Sequence, residues 1–305
     1  MLISVIIPSW NAGSLLREAI HSVIDDEAVG EIIVVDNAST DGSIESLAAL
    51  KMPKLVLIRN PRNVGATQGR DIAINHARHE IIAFLDADDL LSQDALSNAM
   101  RRLVDQNLDM CTLQMVRLFP DGQTKPFIAP LDETISGQEA FRRTLGGWKV
   151  QPMGIMRRAV YHRARSGFEF HGHSDDELLT RHLFLAARSV GGVHDLYFYR
   201  TSTKQITLDM FIGQARTELA VLQMAVDRRE VTTEPCLRKA RNHVVRVLLS
   251  LWNRHYRERR SMALMSPMLR QIVGYRIGWH PSDWRHFLAF IAMRISVPIL
   301  SLSKP

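Results

Sequence analysis

The stretch Ile81-Ile82-Ala83-Phe84-Leu85-Asp86-Ala87-Asp88-Asp89 decides the fold. Five apolar residues in a row, unbroken by charge, have the pattern of a strand buried on both faces. The run then stops on three carboxylates within four positions. Bare carboxylates cannot sit inside such a strand, so they emerge at its carboxyl end, where open α/β sheets bind ligands. Clustered acidic oxygens repel one another unless something positive joins them, and a divalent cation does so through hard oxygen ligands. Mg2+ keeps several waters and reaches for substrate phosphates rather than filling an all-protein cage. The expectation is a metal–phosphate site at a strand tip. The plainer alternative is that Asp88 and Asp89 cap the next helix.

Working outward, Ile3 to Ile7 is a second apolar run, ended by Pro8, which suits a strand end because it lacks a ladder donor. Leu16, Ala19, Ile20, Val23 and Ile24 then recur at helical spacing. Glu31 to Val35 is another strand ending on an acid, Asp36, followed by turn residues Asn37 to Gly42 and a short helix, Ser43 to Leu50. Leu55 to Ile58 is a strand, Asn60 to Gly65 a loop, and Ala66 to Arg78 a helix. Four strands alternating with helices within about 90 residues predict right-handed crossovers and a mainly parallel sheet flanked by helices, an α/β fold.

Downstream, Ser92 starts a helix with Leu96, Met100, Leu103 and Val104 on one face. Asp109 to Phe119 reads as a strand with a turn at Asp121-Gly122. Ser136 to Glu139 has the form of a capping box opening a helix through Thr144. Ile155 to Ala164 fits either helix or strand. A second acidic cluster, Asp175-Asp176-Glu177, precedes a helical pattern; acids at a helix start are favoured by its dipole, but three exceed what a cap needs. Val193 to Tyr199 reads as a final strand. From Leu208 onward only helical patterns appear.

The 305 residues are 46% hydrophobic and 23% charged, a globular composition long enough for one large domain or two modest ones. Two cysteines, Cys111 and Cys236, make no disulfide framework and fit a reducing compartment. The apolar start lacks a basic flank and a cleavage site, so it reads as a strand rather than a signal peptide. No stretch reaches the roughly 18 uncharged apolar residues of a spanning helix. The expected location is cytoplasmic. The net charge of +6 is uneven, because residues from Leu208 on hold 16 of the 38 Lys+Arg but 7 of the 32 Asp+Glu. That last third therefore needs a partner of its own. No nucleic-acid motif accompanies its charge. Arg254, Arg257, Arg259 and Arg260 form a basic run, and Trp279, Trp284, Phe287, Phe290 and Ile291 mix with Arg285 and Arg294. Trp284 to Leu300 fits an amphipathic helix on anionic lipid, which would make the protein peripheral on the cytoplasmic membrane face. A helical cap or a dimer contact is the alternative.

Taken together, Val5-Ile-Ile-Pro-Ser-Trp-Asn11, Ile33-Val-Val-Asp-Asn-Ala-Ser-Thr-Asp-Gly42, Asn63-Val-Gly65 with Arg70, and Phe84-Leu-Asp-Ala-Asp-Asp89 resemble the family 2 glycosyltransferases, which have the GT-A fold. Each motif alone is weak; four in the right order and spacing are strong. Asp175-Asp176-Glu177-Leu178 with Arg181 resembles the family's acidic base motif, and Tyr197-Phe-Tyr-Arg200 with Ile206-Thr207 its closing strand and loop. The resemblance covers residues 3–207. It implies a GT-A catalytic domain over 1–207, with a nucleotide-sugar half (1–105) and an acceptor half (106–207), and leaves 208–305 as a helical basic extension. It also implies a hexosyltransferase-type enzyme of cell-envelope polysaccharide synthesis. Such an enzyme moves a sugar, with inversion and with Mn2+ or Mg2+, from a nucleotide-diphosphate donor to a hydroxyl of a saccharide or lipid-linked acceptor. A UDP-sugar is the family's commonest donor.

By that resemblance Pro8, Ser9, Trp10, Asn11, Asp36, Asn63, Gly65, Arg70, Asp86 and Ala87 hold the donor. Asp88 and Asp86 take the metal, and Asp176 is the catalytic base. His173, Asp175, Glu177 and Arg181 fall on the acceptor side. Asp36 can accept from a base N–H, Trp10 can stack, and Arg70 can add fixed positive charge near the phosphates. A general base such as Asp176 raises the rate by roughly 10²–10⁴, with Glu177 as the alternative. Departures from the usual pattern are Trp10 for Tyr or Phe, Asn37 for a second aspartate, Gly69 and Asp71 beside Arg70, and Asp175 for glutamate. They bear on the donor's identity more than on the reaction.

Three readings compete. His171 and His173 with Asp175 and Asp176, and His194 as recruit, have the spacing of a metallohydrolase but leave the N-terminal motifs unexplained. A nucleotidyltransferase would need a Gly-rich, Lys-bearing phosphate loop, which is missing. A non-catalytic nucleotide-sugar-binding protein would not need both acidic clusters.

Overall fold

A computed structural model describes residues 1–293 except 51, 167–174, 202–207, 230, 256–258, 279, 284 and 287. The chain divides into two compact units: Met1–Phe141, Lys149–Phe168 and His182–Thr203 form the first, and Arg142–Trp148, Glu169–Arg181 and Lys204–Pro305 the second.

In the first unit β1 (Ile3–Ser9), α1 (Leu15–His21), β2 (Val29–Asp36), α2 (Ser43–Ala48), β3 (Leu55–Arg59), α3 (Gly65–His76) and β4 (Ile81–Phe84) alternate as the apolar runs foretold. There follow β5 (Leu90–Leu91), α4 (Ala95–Asp105), β6 (Met110–Leu118), β7 (Thr124–Ile128), β8 (Ile135–Ser136), α5 (Gly137–Thr144, of which 142–144 belong to the second unit), β9 (Gly154–Arg157), α6 (Arg158–Arg165), α7 (Asp175–Ala186, of which 175–181 belong to the second unit) and β10 (Ser189–Arg200). One sheet runs β3-β2-β1-β4-β9-β6-β10-β5, with β7 on β6 and β8 on β10. The first four strands are mutually parallel and β6 is parallel to β10. Strand β9 is antiparallel to both β4 and β6 and joins the two parallel groups. It passes so close to β6 that a Cβ on Gly154 would lie 2.3 Å from the Cys111 carbonyl oxygen, and Gly154 has φ +143°. Only glycine meets both demands.

The ambiguous segment Ile155 to Ala164 is both things in turn: strand β9 to Arg157, then helix α6. Asp88 and Asp89 do not cap α4, whose N-cap is Asp94. Leu96, Met100 and Leu103 of α4 are buried, but Val104 is exposed, since one position past Leu103 the helix has turned its side chain outward. The expected turn at Asp121-Gly122 forms, with Gly122 at φ +81° and β7 antiparallel to β6. The first half of the capping box also forms, Glu139 N–H donating to Ser136 Oγ at 3.2 Å.

In the second unit α8 (Leu208–Asp227), α9 (Glu234–His255), α10 (Arg259–Gly274) and a 3-10 turn (Pro281–Asp283) follow the helical pattern. Arg241 and Asn242 of α9 both donate to Asp283, at 2.8 Å each, and tie that turn down. Two pieces from before residue 208 belong here as well, so the expected boundary at 207/208 is crossed at 142–148 and 169–181. The reason is local: Arg142 donates to the Val231 carbonyl (2.9 Å), Arg246 to that of Gly146 (3.3 Å), and buried Arg181 packs on Trp148. Among the described residues no helix is long and apolar enough to cross a membrane. Of the expected lipid-facing segment, Arg285 and Leu288 are exposed while Phe290 and Met293 are buried. Trp279, Trp284, Phe287 and residues from Arg294 on lie outside the described residues.

The start of β6 is held by one buried carboxylate. Asp109 accepts from Arg188 N–H (2.9 Å), Nε (3.1 Å) and Nη2 (2.9 Å), and from Arg163 (3.4 Å). Burial would raise its pKa, but the Arg188 hydrogen bonds and the Arg188 and Arg163 charges outweigh it and hold the carboxyl below the usual range. Asp109→Asn should lower unfolding free energy by about 2 kcal/mol at pH 7. A depressed folded pKa gives stability that is present above the unfolded value of about 3.9 and lost as pH falls through the folded one. Urea unfolding should therefore show wild type and variant converging in acid; an unchanged gap would refute this role.

Candidate functional site

The carboxyl ends of β1, β2 and β4 lie side by side, because Ser9 pairs with Asp36 and the Leu85 N–H donates to Ile6 O at 3.1 Å. Three loops leave from this rim, and side chains bond them to one another. Asn11, at φ +49°, donates its N–H to Ser39 Oγ (2.9 Å) and accepts from Thr40 N–H (2.8 Å). Asp36 is buried, and its Oδ1 accepts from Ser39 N–H at 2.9 Å. Asn60 donates to Asn37 Oδ1 (2.9 Å), Asn37 donates to the Gly65 carbonyl (3.2 Å), and Asn63 accepts from Gly65 N–H (2.9 Å). Trp10 is 56% exposed, so it is not a core tryptophan. Ser9 Oγ, at the end of β1, is buried with no hydrogen-bond partner.

Two departures near Arg70 have local causes. A Cβ on Gly69 would come within 3.2 Å of Pro8 Cβ and 3.3 Å of Asn37 Nδ2, so glycine lets α3 close on the first loop. Asp71 accepts from Tyr161 OH and from Arg165 Nε (2.8 Å), tying α3 to α6.

The three aspartates after β4 have three different fates. Asp86 accepts from Arg70 Nη2 at 2.5 Å, and its side chain is 31% exposed. Arg70 is buried, its guanidinium 5.1 Å from the Phe84 ring centroid. Ala87 is buried and Asp88 is exposed. Asp89 is only 1% exposed; it accepts from Tyr197 OH (2.7 Å) and Arg200 N–H (2.8 Å). Burial, then nearby Asp86, push Asp89 up to about 8. The same Tyr197 oxygen accepts the Asp86 N–H at 3.2 Å, so one hydroxyl clasps both ends of the acidic turn. Asp89 and Tyr197 were missing from the candidate donor residues. The Tyr197-Phe198-Tyr199 alternation signals a shared face for the two tyrosines, but not which face.

Among the described residues no three His, Cys, Asp or Glu side chains converge to hold a metal. The donor set at the turn is two hard carboxylates, one exposed and one half-engaged by Arg70. That suits a Mg2+- or Mn2+-like ion that draws its other ligands from water and a diphosphate.

In the second unit Asp176 is exposed in the first turn of α7. Arg181 is buried: its guanidinium lies 4.1 Å from the Trp148 ring centroid, donates to the Glu177 carbonyl (2.8 Å), and sits 3.5 Å from Glu177 Oε2 and 4.0 Å from Glu218 Oε1. His243 contacts Glu218 at 3.1 Å. Burial raises the Glu177 pKa, Arg181 opposes it, and Glu218 and Asp176 add to the rise; Glu218 itself is held low by His243 and Arg181 against its own burial. His171, His173 and the Asp175 side chain lie outside the described residues. His194, the recruit for a metallohydrolase, contacts Asp132 at 2.7 Å.

The family model described as Glycosyl transferase family 2 matches residues 4–163, just over half the chain. The glycosyltransferase GlyG of Streptococcus pneumoniae is 24% identical over 220 residues, 67% of this chain and 72% of that protein. The putative teichuronic acid biosynthesis glycosyltransferase TuaG of Bacillus subtilis is 28% identical over 149 residues, 48% of this chain and 59% of its own length. The Staphylococcus aureus TarS fragment 1–349, solved with UDP-GlcNAc, superposes with a TM-score of 0.69 at 15% identity, covering 99% of this chain and 90% of that one. At that identity the likeness is one of fold, a GT-A-type sheet flanked by helices. With the family model matched across β1 to α6, the chain belongs to glycosyl transferase family 2 and is a glycosyltransferase.

Proposed function

We propose that this enzyme transfers a sugar from a UDP-sugar to a hydroxyl of a saccharide or lipid-linked acceptor, with inversion, assisted by Mn2+ or Mg2+. The observation that carries this reading is the unequal treatment of the acidic turn: Asp88 is exposed and Asp86 half-exposed beside the Ser9–Asp36 rim, while Asp89 is buried as a brace. The UDP-GlcNAc in the TarS fragment supports a UDP donor.

In this reading Asp36 and Ser9 accept and donate to the nucleoside, and exposed Trp10 offers it a face. Arg70 orients Asp86 rather than meeting the phosphates itself, because its short contact is to Asp86. Asp88 and Asp86 would hold the divalent ion, which neutralises the diphosphate as a leaving group. Asp176 takes the proton of the acceptor hydroxyl, whose oxygen attacks the anomeric carbon opposite the breaking sugar–phosphate bond, so the configuration inverts. Glu177 is the poorer base, since its carboxyl is engaged with Arg181 and Glu218.

We place the enzyme in the cytoplasm, with the basic C-terminal helices against anionic lipid. Flotation of the full chain on phosphatidylglycerol vesicles should be salt-sensitive and exceed that on phosphatidylcholine; no difference between the two sinks the placement.

Calorimetry with a UDP-sugar and Mn2+ separates the two acidic roles. Asp88→Ala should abolish the Mn2+-dependent part of donor affinity. Asp176→Asn should bind donor as wild type does yet lose at least about a hundredfold in turnover. An active Asp176→Asn enzyme, with Asp175→Asn inactive, would move the base by one residue. Tyr197→Phe should cost about 1–3 kcal/mol in stability, because Asp89 loses one of its two donors in a buried site. Donor affinity should fall with it, and a variant as stable and as tight-binding as wild type would remove the clasp from the account.

A further inference from the structure

We infer that the β6–β7 hairpin and the end of β10 form a docking platform for an anionic saccharide, the acceptor chain, beside the acidic turn. The inference rests on the reading that this turn holds the donor diphosphate.

Strand register builds the platform. Tyr199 pairs with Arg117, and Arg117 pairs with Lys125, so the three stand in one row across three strands on one face. The register shifts between Met115 and Val116, leaving Phe127 as the extra residue between Ile128 and Pro126. Its ring lies 6.0 Å from that of Tyr199 and carries the Arg117 guanidinium 4.2 Å from its centroid. Lys125 Nζ lies 5.4 Å from the Phe119 centroid. Phe127 and Tyr199 remain 38% and 42% exposed, whereas Tyr197, Met115 and Ile128, one step inward on the same strands, are buried.

The row adjoins the proposed transfer site. Tyr197, two residues before Tyr199 on the same face of β10, clasps Asp86 and Asp89. Asp89 also accepts the N–H of Arg200, the neighbour of Tyr199. Burial, then Asp89, Asp88 and Asp86, raise the pKa of the Tyr199 hydroxyl, and Arg117 opposes them.

Exposed aromatic rings offer flat apolar area to the C–H faces of sugar rings, and two cations held on aromatic faces offer fixed charge to anionic substituents. Among the described residues neither Arg117 nor Lys125 pairs with a carboxylate. A membrane would be a poor occupant: the hairpin tip, Asp121-Gly122-Gln123-Thr124, is polar and acidic, and the aromatics sit along its face rather than at its end.

The test is calorimetric titration of wild type, Phe127→Ala and Arg117→Gln/Lys125→Gln with four probes. These are a hyaluronan tetrasaccharide (carboxylate), maltotetraose phosphate, neutral maltotetraose, and UDP with Mn2+. At low salt, wild type should bind at least one anionic oligosaccharide about tenfold tighter than the neutral one. The Gln/Gln variant should lose that margin, and Phe127→Ala should weaken both classes while UDP affinity stays as in wild type. Which anionic probe binds identifies the acid as carboxylate or phosphate. Equal affinity for charged and neutral probes, or variants that bind like wild type, overturns the proposal. So does loss in the variants of binding to phosphatidylglycerol vesicles with no loss for oligosaccharides. Oligosaccharide binding without UDP binding would instead overturn the donor reading and leave the platform standing. The Gln/Gln variant changes only exposed side chains, so the charge arm survives if Phe127→Ala misfolds.

Discussion

Three carboxylates within four residues set the central constraint. Two unit charges 4 Å apart near a protein surface repel by about 4 kcal/mol. The fold meets this by treating each acid differently. Asp86 is paired with a buried arginine, Asp89 is buried on a tyrosine hydroxyl and a backbone N–H, and Asp88 is turned outward. Tyr197 does the most for this division, since its one oxygen serves the Asp86 N–H and the Asp89 carboxyl together. Burying Asp89 also fixes where the turn ends, because β5 pairs with β10 immediately after it. Its raised pKa follows from the same burial and from Asp86 nearby.

The rest of the rim that this turn borders is held by a different device. Its loops carry few apolar residues, so they cannot be fixed by packing. They are fixed by side-chain amides, hydroxyls and carboxylates that satisfy backbone groups of a neighbouring loop. Asn37 illustrates the cost of changing a residue there: it donates to Gly65 and accepts from Asn60, the two ends of one loop, which an aspartate, being acceptor-only when ionised, could not do. Gly69 and Asp71 likewise answer to neighbours, Pro8 and α6. The departures from the family pattern at these positions are therefore packing solutions, and they leave the exposed chemistry at Trp10 and Asp88 in place.

How much of this was legible follows from which signals are local. Strand identity was readable at Ile81 to Phe84, Ile3 to Ile7 and Ile32 to Val35, because a strand buried on both faces must be apolar throughout. The rim position of Asp36 and Asp86 followed from the same fact. Segment 155–164 was unreadable by periodicity because it changes element at Arg157, with no Gly or Pro to mark the junction. The burial of Asp89 was hidden because its partners are 108 and 111 residues away. Arg70 could be seen as a cation near the site but not as the partner of Asp86, since side-chain pairing across elements depends on register. The exposed Phe127 arises from a register shift, which no pattern of one strand records.

The second unit shows why adjacent acids need not share a role. Asp176 and Glu177 are neighbours on α7, yet a helix turns about 100° between them, so they meet different surroundings. Glu177 is four residues before Arg181 and shares it with Glu218, while Trp148 covers the guanidinium. A cation so buried is tolerable only with opposite charge and a polarizable face beside it, and here it has both. Two glutamates around one arginine leave an excess negative charge, which is relieved by raising one pKa and lowering the other. Burial raises Glu177, and His243 with Arg181 lowers Glu218. Environments that drive neighbouring acids apart are how active sites assign distinct tasks to similar groups. The engaged glutamate thereby anchors the first turn of α7, while Asp176 beside it stays exposed.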